Sequence, residues 1–279
     1  MFLDYQFIFI NPPSSTNDLV TEWKCAISNI LPQELHKNFS VLEGKLCSLP
    51  VEQLACDCIV SPANSFGIMD GGYDMALSRY FSADGGDDIY ALTRTAQKAI
   101  QARWRGYAPP GTATVTALPS GIHNPVGATT LAIVPTMCRP EDVRWHRDLV
   151  YNAMWALLCD LERWNAENPA KPIRRVLMPG LATGTGGVRA EVAARQMVMA
   201  IKHFARVDQE QGSTQLTLTY HTDYPLHNLL GDDDRRRGYA NGSYYPLLLV
   251  RRISITTARI LLPQHREWRA NAIPPVAGR

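Results

Sequence analysis

The sequence lacks several features that would each indicate a class of protein. Its 279 residues carry 28 Lys and Arg against 26 Asp and Glu, a formal net charge of +2 that provides little overall attraction for nucleic acid. No apolar run is long enough to span a bilayer, and the apolar stretch 7–10 follows no basic segment typical of a secretory signal. We therefore expect neither a membrane nor a nucleic-acid partner.

The six cysteines also lack the spacing of a metal site. No pair is separated by two residues, the arrangement that lets two thiolates share a zinc ion, so a reduced intracellular protein, cytoplasmic or nuclear, is expected. Cys56 and Cys58 flank Asp57 in a strand-like run, which predicts that both thiols lie on one face of a strand as small buried groups. We expect no metal and no other cofactor.

Strand-like and helix-like segments alternate along most of the chain. Runs rich in β-branched and aromatic residues predict strands at 5–10, 41–42, 56–60, 112–118, 129–134, 175–178 and 216–220. Apolar residues at helical spacing predict helices at 18–30, 75–81, 89–100, 143–164 and 190–204. This order predicts a three-layer α/β/α sandwich with a mixed, largely parallel central sheet, whose ligands gather beyond the carboxyl ends of the strands.

The pattern weakens towards the end of the chain. Residues 232–237 are three aspartates followed by three arginines, and an Asn-Gly pair and several prolines come after them. We predict one monomeric domain over residues 1–222, followed by a linker and C-terminal tail over residues 223–279. Within the domain, residues 1–40 form an N-terminal strand and helix that precede the segment carrying the chemistry.

Two loops between a strand and a helix contain the residue types needed to hold a phosphate. Residues 61–74 read Ser-Pro-Ala-Asn-Ser-Phe-Gly-Ile-Met-Asp-Gly-Gly-Tyr-Asp, and residues 183–188 read Thr-Gly-Thr-Gly-Gly-Val. Glycines let backbone N–H groups approach a phosphate closely, and the N-terminus of the following helix favours negative charge. Two such loops facing each other would cradle a diphosphate.

Two common nucleotide-binding motifs do not fit these loops. Arg189 stands where a dinucleotide-binding fingerprint requires its third glycine, and neither loop is followed by the lysine of a P-loop. Rossmann and P-loop functions are therefore not favoured.

The first loop resembles the macrodomain signature, usually written N-A-A-N-x-x-L-x-G-G-G-G-V-D, and aligns with it without a gap. Asn64, Gly71, Gly72 and Asp74 match. Residues 109–115 are similar to the family's P-x-G-x-A strand entry, and residues 178–188 resemble its P-A-I-S-T-G-V-Y-G segment. The resemblance covers residues 41–222.

This resemblance implies binding of ADP-ribose or a derivative, free or on an ADP-ribosylated protein, and in some branches hydrolysis of mono-ADP-ribosyl or O-acetyl-ADP-ribose bonds. Asn64 would hydrogen-bond the distal ribose, and Asp74 would orient or deprotonate the water that attacks the anomeric carbon. The ligand-binding residues expected by the same resemblance are Ser61, Ala63, Asp70, Gly71, Gly72, Thr183, Gly184, Thr185, Gly186, Gly187 and Val188.

Four positions depart from the family pattern. Ser61 replaces the first asparagine of the signature, and Asp70 puts a carboxylate where the family has a glycine near the phosphates, which opposes diphosphate binding unless the side chain points away. Lys45 stands near the usual adenine-reading aspartate, and Val188 near an aromatic residue that covers the distal ribose.

Each of these features also has a purely structural interpretation. Asp74 is a candidate N-cap for the helix at Met75, and Asn64 a candidate turn residue that tolerates unusual dihedral angles. The glycines at 184–187 suit a tight turn. Three functions therefore remain open: an ADP-ribosyl hydrolase, a binding module without turnover, and a scaffold that kept the fold but lost the pocket.

Overall fold

Strands and helices alternate along residues 4–82 and 88–210, which are the residues that this computed structural model describes. The strands are β1 (Gln6–Asn11), β2 (Phe39–Glu43), β3 (Cys58–Ser61), β4 (Thr114–Ala117), β5 (Thr130–Ile133) and β6 (Arg175–Met178). The α-helices are α1 (Leu19–Ile30), α2 (Val51–Leu54), α3 (Gly72–Tyr80), α4 (Ala91–Trp104), α5 (Leu149–Glu167) and α6 (Ala190–Glu210), with a 3-10 helix at Gln33–Asn38. None of the helices in these two stretches has both the length and the apolar character needed to cross a membrane.

The six strands form one sheet in the order β2-β1-β6-β3-β5-β4. Neighbouring strands pair in parallel, apart from the edge strand β4, which is antiparallel to β5. Helices cover both faces: α1, α5 and α6 contribute to one apolar core, and α2, α3 and α4 to the other. The predicted α/β/α sandwich with a mixed, largely parallel sheet is confirmed.

The N-terminal strand and helix lie inside this architecture. β1 pairs with β2 on one side and with β6 on the other, so it occupies an interior position in the sheet. The Asp18 carboxylate accepts a hydrogen bond from the Thr21 N–H at 3.1 Å and caps α1. Trp23 of this helix packs against Phe9 with ring centroids 4.8 Å apart. The described part of the segment predicted to precede the signature region, residues 4–40, thus supplies part of the central sheet and its cover.

The two cysteines predicted to share a strand face lie in different cores. Cys56 and Cys58 are both buried, but Cys56 belongs to the core under α3 and α4, and Cys58 to the core under α5 and α6. Side chains point to alternate faces only within a strand, and β3 begins at Cys58. Cys56 lies before the strand, so the two-residue spacing does not place it on the same face as Cys58. Burial raises the pKa of both thiols, which keeps them protonated.

Other differences from the predicted elements occur at element ends. The predicted helix at 143–164 begins six residues later, at Leu149, because residues 143–148 form turns that contact the loop after β6. The short helix α2 and the 3-10 helix carry too few apolar repeats for a periodic signal. The predicted strand at 216–220, the domain boundary at 222 and the tail lie outside the described residues.

A buried carboxylate joins helices α4 and α5 to the edge strand. Asp160 is 3% exposed, and its two oxygens accept hydrogen bonds from the Val115 N–H at 2.6 Å, the Arg163 Nε–H at 2.8 Å and the Arg103 guanidinium. Burial alone raises the pKa of Asp160, but hydrogen bonds from Arg163, Val115 and Arg103 outweigh it and hold the pKa below its usual value. Asp160 therefore remains ionised at neutral pH.

Replacement of this carboxylate is expected to destabilise the fold. In Asp160→Ala, the Arg103 guanidinium and the Val115 N–H lose this acceptor and Arg163 keeps only its pair with Glu167, so the free energy of unfolding should fall by about 3 kcal/mol. The matched control is Asp4→Ala, because Asp4 pairs with Arg174 at the surface, and a change below about 1 kcal/mol is expected there. Urea unfolding of both variants checks this, and equal effects would contradict it.

Candidate functional site

A cavity of about 1010 Å³ lies beyond the carboxyl ends of the parallel strands. The segments that follow β1, β2, β3, β5 and β6 all contribute to its wall. It brings together nine of the thirteen predicted site residues, namely Asn64, Asp70, Gly71, Gly72, Asp74, Thr183, Gly184, Thr185 and Gly186. The two loops, more than one hundred residues apart in sequence, thus face the same space.

Backbone hydrogen bonds hold the first loop against the segment after β5. The Thr136 N–H donates to the Ala63 carbonyl at 2.9 Å, and Asn64 and Met137 form an isolated parallel bridge. The pairing of β3 with β5 therefore continues past the end of both strands. This continuation fixes the backbone of the loop where the cavity begins.

The Asn64 side chain lies at the cavity wall and also braces its own loop. Its Oδ1 accepts hydrogen bonds from the N–H groups of Phe66 at 3.0 Å and Ile68 at 3.3 Å, and its Nδ2 donates to the Ile68 carbonyl at 2.8 Å. A carboxamide can form four hydrogen bonds, so one N–H is left for a ligand. The turn role considered for Asn64 is observed, and it leaves a single side-chain N–H for a further contact.

The Asp74 side chain is not a helix cap. The N-cap of α3 is Gly71, and Asp74 is the third residue of the helix, so the capping alternative is wrong. Its carboxylate is 7% exposed at the cavity wall, and its Oδ1 accepts a hydrogen bond from the Ser61 hydroxyl at 2.7 Å. One oxygen of Asp74 is thereby engaged by the protein, and the other remains for a reactant.

Burial raises the pKa of Asp74 to about 7. The hydrogen bond from Ser61 acts in the opposite direction because it stabilises the charged carboxylate, whereas the nearby charge of Asp70 raises the pKa further. A carboxyl group with a pKa near neutrality is present in both protonation states at physiological pH. This is the condition under which a carboxylate exchanges protons most effectively as a general base.

The glycines of the two loops have different structural roles. A Cβ atom on Gly71, Gly72 or Gly184 would meet nothing within 4 Å, so at these positions the backbone is open to a ligand. A Cβ atom on Gly186 would lie 2.7 Å from the Ala182 carbonyl oxygen, and Gly187 has a φ of +69°. Those two glycines are required by the turn itself, as the tight-turn alternative proposes.

Four predicted ligand-binding residues do not line the cavity. Ser61 and Ala63 are buried, and the Ser61 hydroxyl is used by Asp74. Val188 is buried in the core under α5 and α6, and Gly187 lies against Arg144. Side chains alternate in direction along extended backbone, so contiguous segments of sequence do not all face a cavity.

Sequence reasoning missed several residues of the cavity wall. Arg79 and His123 belong to the wall in addition to Asp70, Asp74 and Lys45, which the sequence comparison with the family pattern had already named. Asp70 and Asp74 both line the cavity, and Lys45 and Arg79 are basic residues of the same wall. Arg79 follows Gly72 at a spacing of seven, two helical turns, so the helix period was a usable signal. His123 lies in the loop between β4 and β5, and no local pattern indicates that this loop reaches the cavity.

Gly180, which precedes the second loop, and Gly184 within that loop are expected to differ in their tolerance of alanine. A Cβ on Gly180 would lie 2.2 Å from Leu19 Cδ2, and Leu19 is buried, so Gly180→Ala should lower the free energy of unfolding by about 1–3 kcal/mol. Gly184→Ala adds a methyl group in open space, and its effect should stay within about 0.5 kcal/mol. Chemical denaturation tests the pair, and equal stability of the two variants would show that the Leu19 side chain moves aside without cost.

Known proteins share the sequence pattern of this chain. The family profile described as "Macro-like domain" matches residues 25–234. An uncharacterized protein of Aquifex aeolicus (strain VF5) is 30% identical to this chain over 164 residues, which cover 58% of this chain and 83% of that protein.

Solved structures with lower identity were also found. The macrodomain of Mycobacterium tuberculosis DarG has 21% identity and a TM-score of 0.39, covering 56% of this chain and 88% of its own. The Trypanosoma brucei macrodomain in complex with ADP has 20% identity and a TM-score of 0.39, covering 57% and 55%. The Oceanobacillus iheyensis macrodomain with ADP has 14% identity and a TM-score of 0.38, covering 53% and 71%.

Proposed function

The chain belongs to the Macro-like domain family, and from this premise we propose that it binds ADP-ribose or a derivative and hydrolyses mono-ADP-ribosyl or O-acetyl-ADP-ribose bonds. The observation that carries the catalytic part is the buried Asp74 carboxylate at the cavity wall, two residues after the paired glycines. The proposed ligand is free ADP-ribose or an ADP-ribosylated protein. We propose that the protein binds it as a monomer inside the cell.

The wall of the cavity supports binding of a diphosphate. Gly71 and Gly72 stand at the N-terminus of α3, where the first N–H groups of a helix have no intrahelical acceptor and attract anions. Gly184 exposes the backbone of the second loop to the same cavity. Lys45 and Arg79 add positive charge. A diphosphate between the loops therefore meets backbone N–H donors and two basic side chains in the same cavity as the Asp70 carboxylate.

The chemistry proposed for the glycosidic substrates is a hydrolysis assisted by Asp74. The carboxylate accepts a proton from a water molecule as the water oxygen forms a bond to the anomeric carbon of the distal ribose. The bond from that carbon to the acceptor group breaks, and the acceptor leaves with the bonding electrons. The remaining N–H of Asn64 is suited to hold a hydroxyl of the same ribose.

The binding proposal predicts selectivity for ADP-ribose. In calorimetric titrations of the full chain, ADP-ribose should bind about tenfold more tightly than ADP, because the distal ribose adds about one net hydrogen bond's free energy. NAD should also bind more weakly than ADP-ribose, because its nicotinamide occupies the anomeric position. Gly184→Ala, expected to fold normally, should weaken ADP-ribose binding by narrowing the phosphate approach. Failure to bind any of the three nucleotides would favour the scaffold function, and equal affinities for all three would contradict the predicted selectivity for ADP-ribose.

The catalytic proposal predicts a rate defect without a binding defect. Asp74→Asn keeps the shape of the side chain but removes the base, so hydrolysis of an ADP-ribosylated protein or O-acetyl-ADP-ribose should slow by about 10²–10⁴-fold. ADP-ribose affinity should remain within a few-fold of the wild type. Asp4→Asn, at an exposed ion pair, serves as the control and should keep the full rate.

The activity of the wild type should also depend on pH. Because the ionised form of Asp74 is the base, the rate should rise with pH through the region of its pKa, about 7, and then level off. A wild-type protein that binds ADP-ribose but releases no product from either substrate would contradict the catalytic proposal.

A binding module without turnover is the second candidate function. It is favoured by Asn64, which spends three of its four hydrogen bonds within the loop, and by Val188, which is buried where the family has an aromatic residue over the distal ribose. If this function is correct, Asp74→Asn keeps the wild-type affinity for ADP-ribose, and neither protein hydrolyses the substrates. The same pair of assays therefore separates the two candidates.

A further inference from the structure

The Ser61 hydroxyl has a partner that the predicted ligand role does not explain. Ser61 is the last residue of β3 and is 0% exposed, so a ligand in the cavity cannot reach it without rearrangement of the wall. Its Oγ donates a 2.7 Å hydrogen bond to Asp74 Oδ1. The bond joins the end of a central strand to the first turn of α3.

The backbone around Ser61 is held on both sides. Its carbonyl accepts a hydrogen bond from the Val134 N–H at 2.9 Å, and its Cα pairs in register with Ile133 of β5. A hydroxyl attached to this fixed strand end defines the position of one carboxylate oxygen far more strictly than the exposed, glycine-rich turn at 71–72 does. The second oxygen of Asp74 is then the one presented to a reactant.

We propose that Ser61 is a positioning residue that orients the Asp74 carboxylate and keeps it available in the ionised form. This inference rests on the proposed function of Asp74 as a base. It assigns to Ser61 an action through another side chain, in place of the direct ligand contact that the sequence predicts.

Several charged and titratable groups surround this carboxyl. Asp70 precedes α3 and opposes ionisation of Asp74, whereas the Ser61 hydroxyl favours it. Lys45, Arg79 and His123 line the same cavity from the segment after β2, from α3 and from the loop between β4 and β5. Tyr73 adjoins Asp74 in the chain, and burial together with neighbouring acidic groups raises the pKa of its phenol, so it stays neutral.

Ser61 and Asp70 therefore act on the carboxyl in opposite directions, which provides a matched pair of variants. Ser61→Ala removes a donor that stabilises the carboxylate, so the pKa of Asp74 should rise. Asp70→Asn removes a like charge, so the pKa should fall. Because Asp70 is exposed, Asp70→Asn is expected to fold, and it shows how far the Asp74 titration responds to a neighbouring group when the Ser61 hydroxyl is kept.

The experiment is a ¹³C NMR titration of the aspartate carboxyl groups in the full chain, with the Asp74 signal identified by its loss in Asp74→Asn. In Ser61→Ala the midpoint of the Asp74 titration should move to higher pH. The expected shift corresponds to about a tenfold change in proton concentration, because the variant loses the free energy of one hydrogen bond to the carboxylate. Asp70→Asn should move it to lower pH. Ser61→Thr, which restores the hydroxyl, should return the midpoint towards that of the wild type.

The pH–rate profile of hydrolysis provides the second readout. The pH at which the rate falls on the acid side should move in the same direction as the Asp74 midpoint in each of the three variants. An unchanged Asp74 midpoint in Ser61→Ala, or a shift to lower pH, overturns the inference even if the enzyme is active. If the midpoints move as expected but no substrate is hydrolysed, the effect of Ser61 on the carboxyl stands and only the proposed hydrolysis fails.

Discussion

The parallel pairing of β3 with both β5 and β6 is the constraint on which the cavity depends. Strands that run in the same direction deliver their following segments to one edge of the sheet, so the loops after β3 and β6 face each other. The hydrogen bond from Thr136 to Ala63 extends the pairing into the first loop. A slip of one residue in this register would turn Ser61 to the opposite face, away from Asp74.

The same constraint explains why a carboxyl group is buried at the site. Asp74 lies in the first turn of α3, and packing of this helix on the sheet withdraws the side chain from water. Burial favours the protonated form, and the strand-end hydroxyl of Ser61 offsets part of that effect. The site therefore combines a desolvated carboxyl with a donor that is fixed by the central sheet, close to glycines whose backbone stays open.

The secondary structure followed from short-range pattern wherever the pattern was strong. The strand predicted at 175–178 has the bounds observed for β6, and the helix predicted at 18–30 is α1 with its aspartate cap. The predictions failed at element ends. The helix predicted from residue 143 begins at Leu149, and α3 begins at Gly72, which moves the cap away from Asp74. Apolar periodicity reports the face of a helix but does not mark its first residue.

Local composition and spacing were enough to predict the α/β/α class and the two glycine-bearing loops, and the resemblance to the macrodomain signature indicated Asn64 and Asp74, which both line the cavity. Tertiary structure alone decided the partner of the Ser61 hydroxyl, the approach of His123 and the interior place of β1. It also separated Gly184, which is open to the cavity, from Gly180, which packs on Leu19. These features depend on contacts between residues distant in sequence, and such contacts are set by strand order and side-chain direction, which local periodicity does not specify.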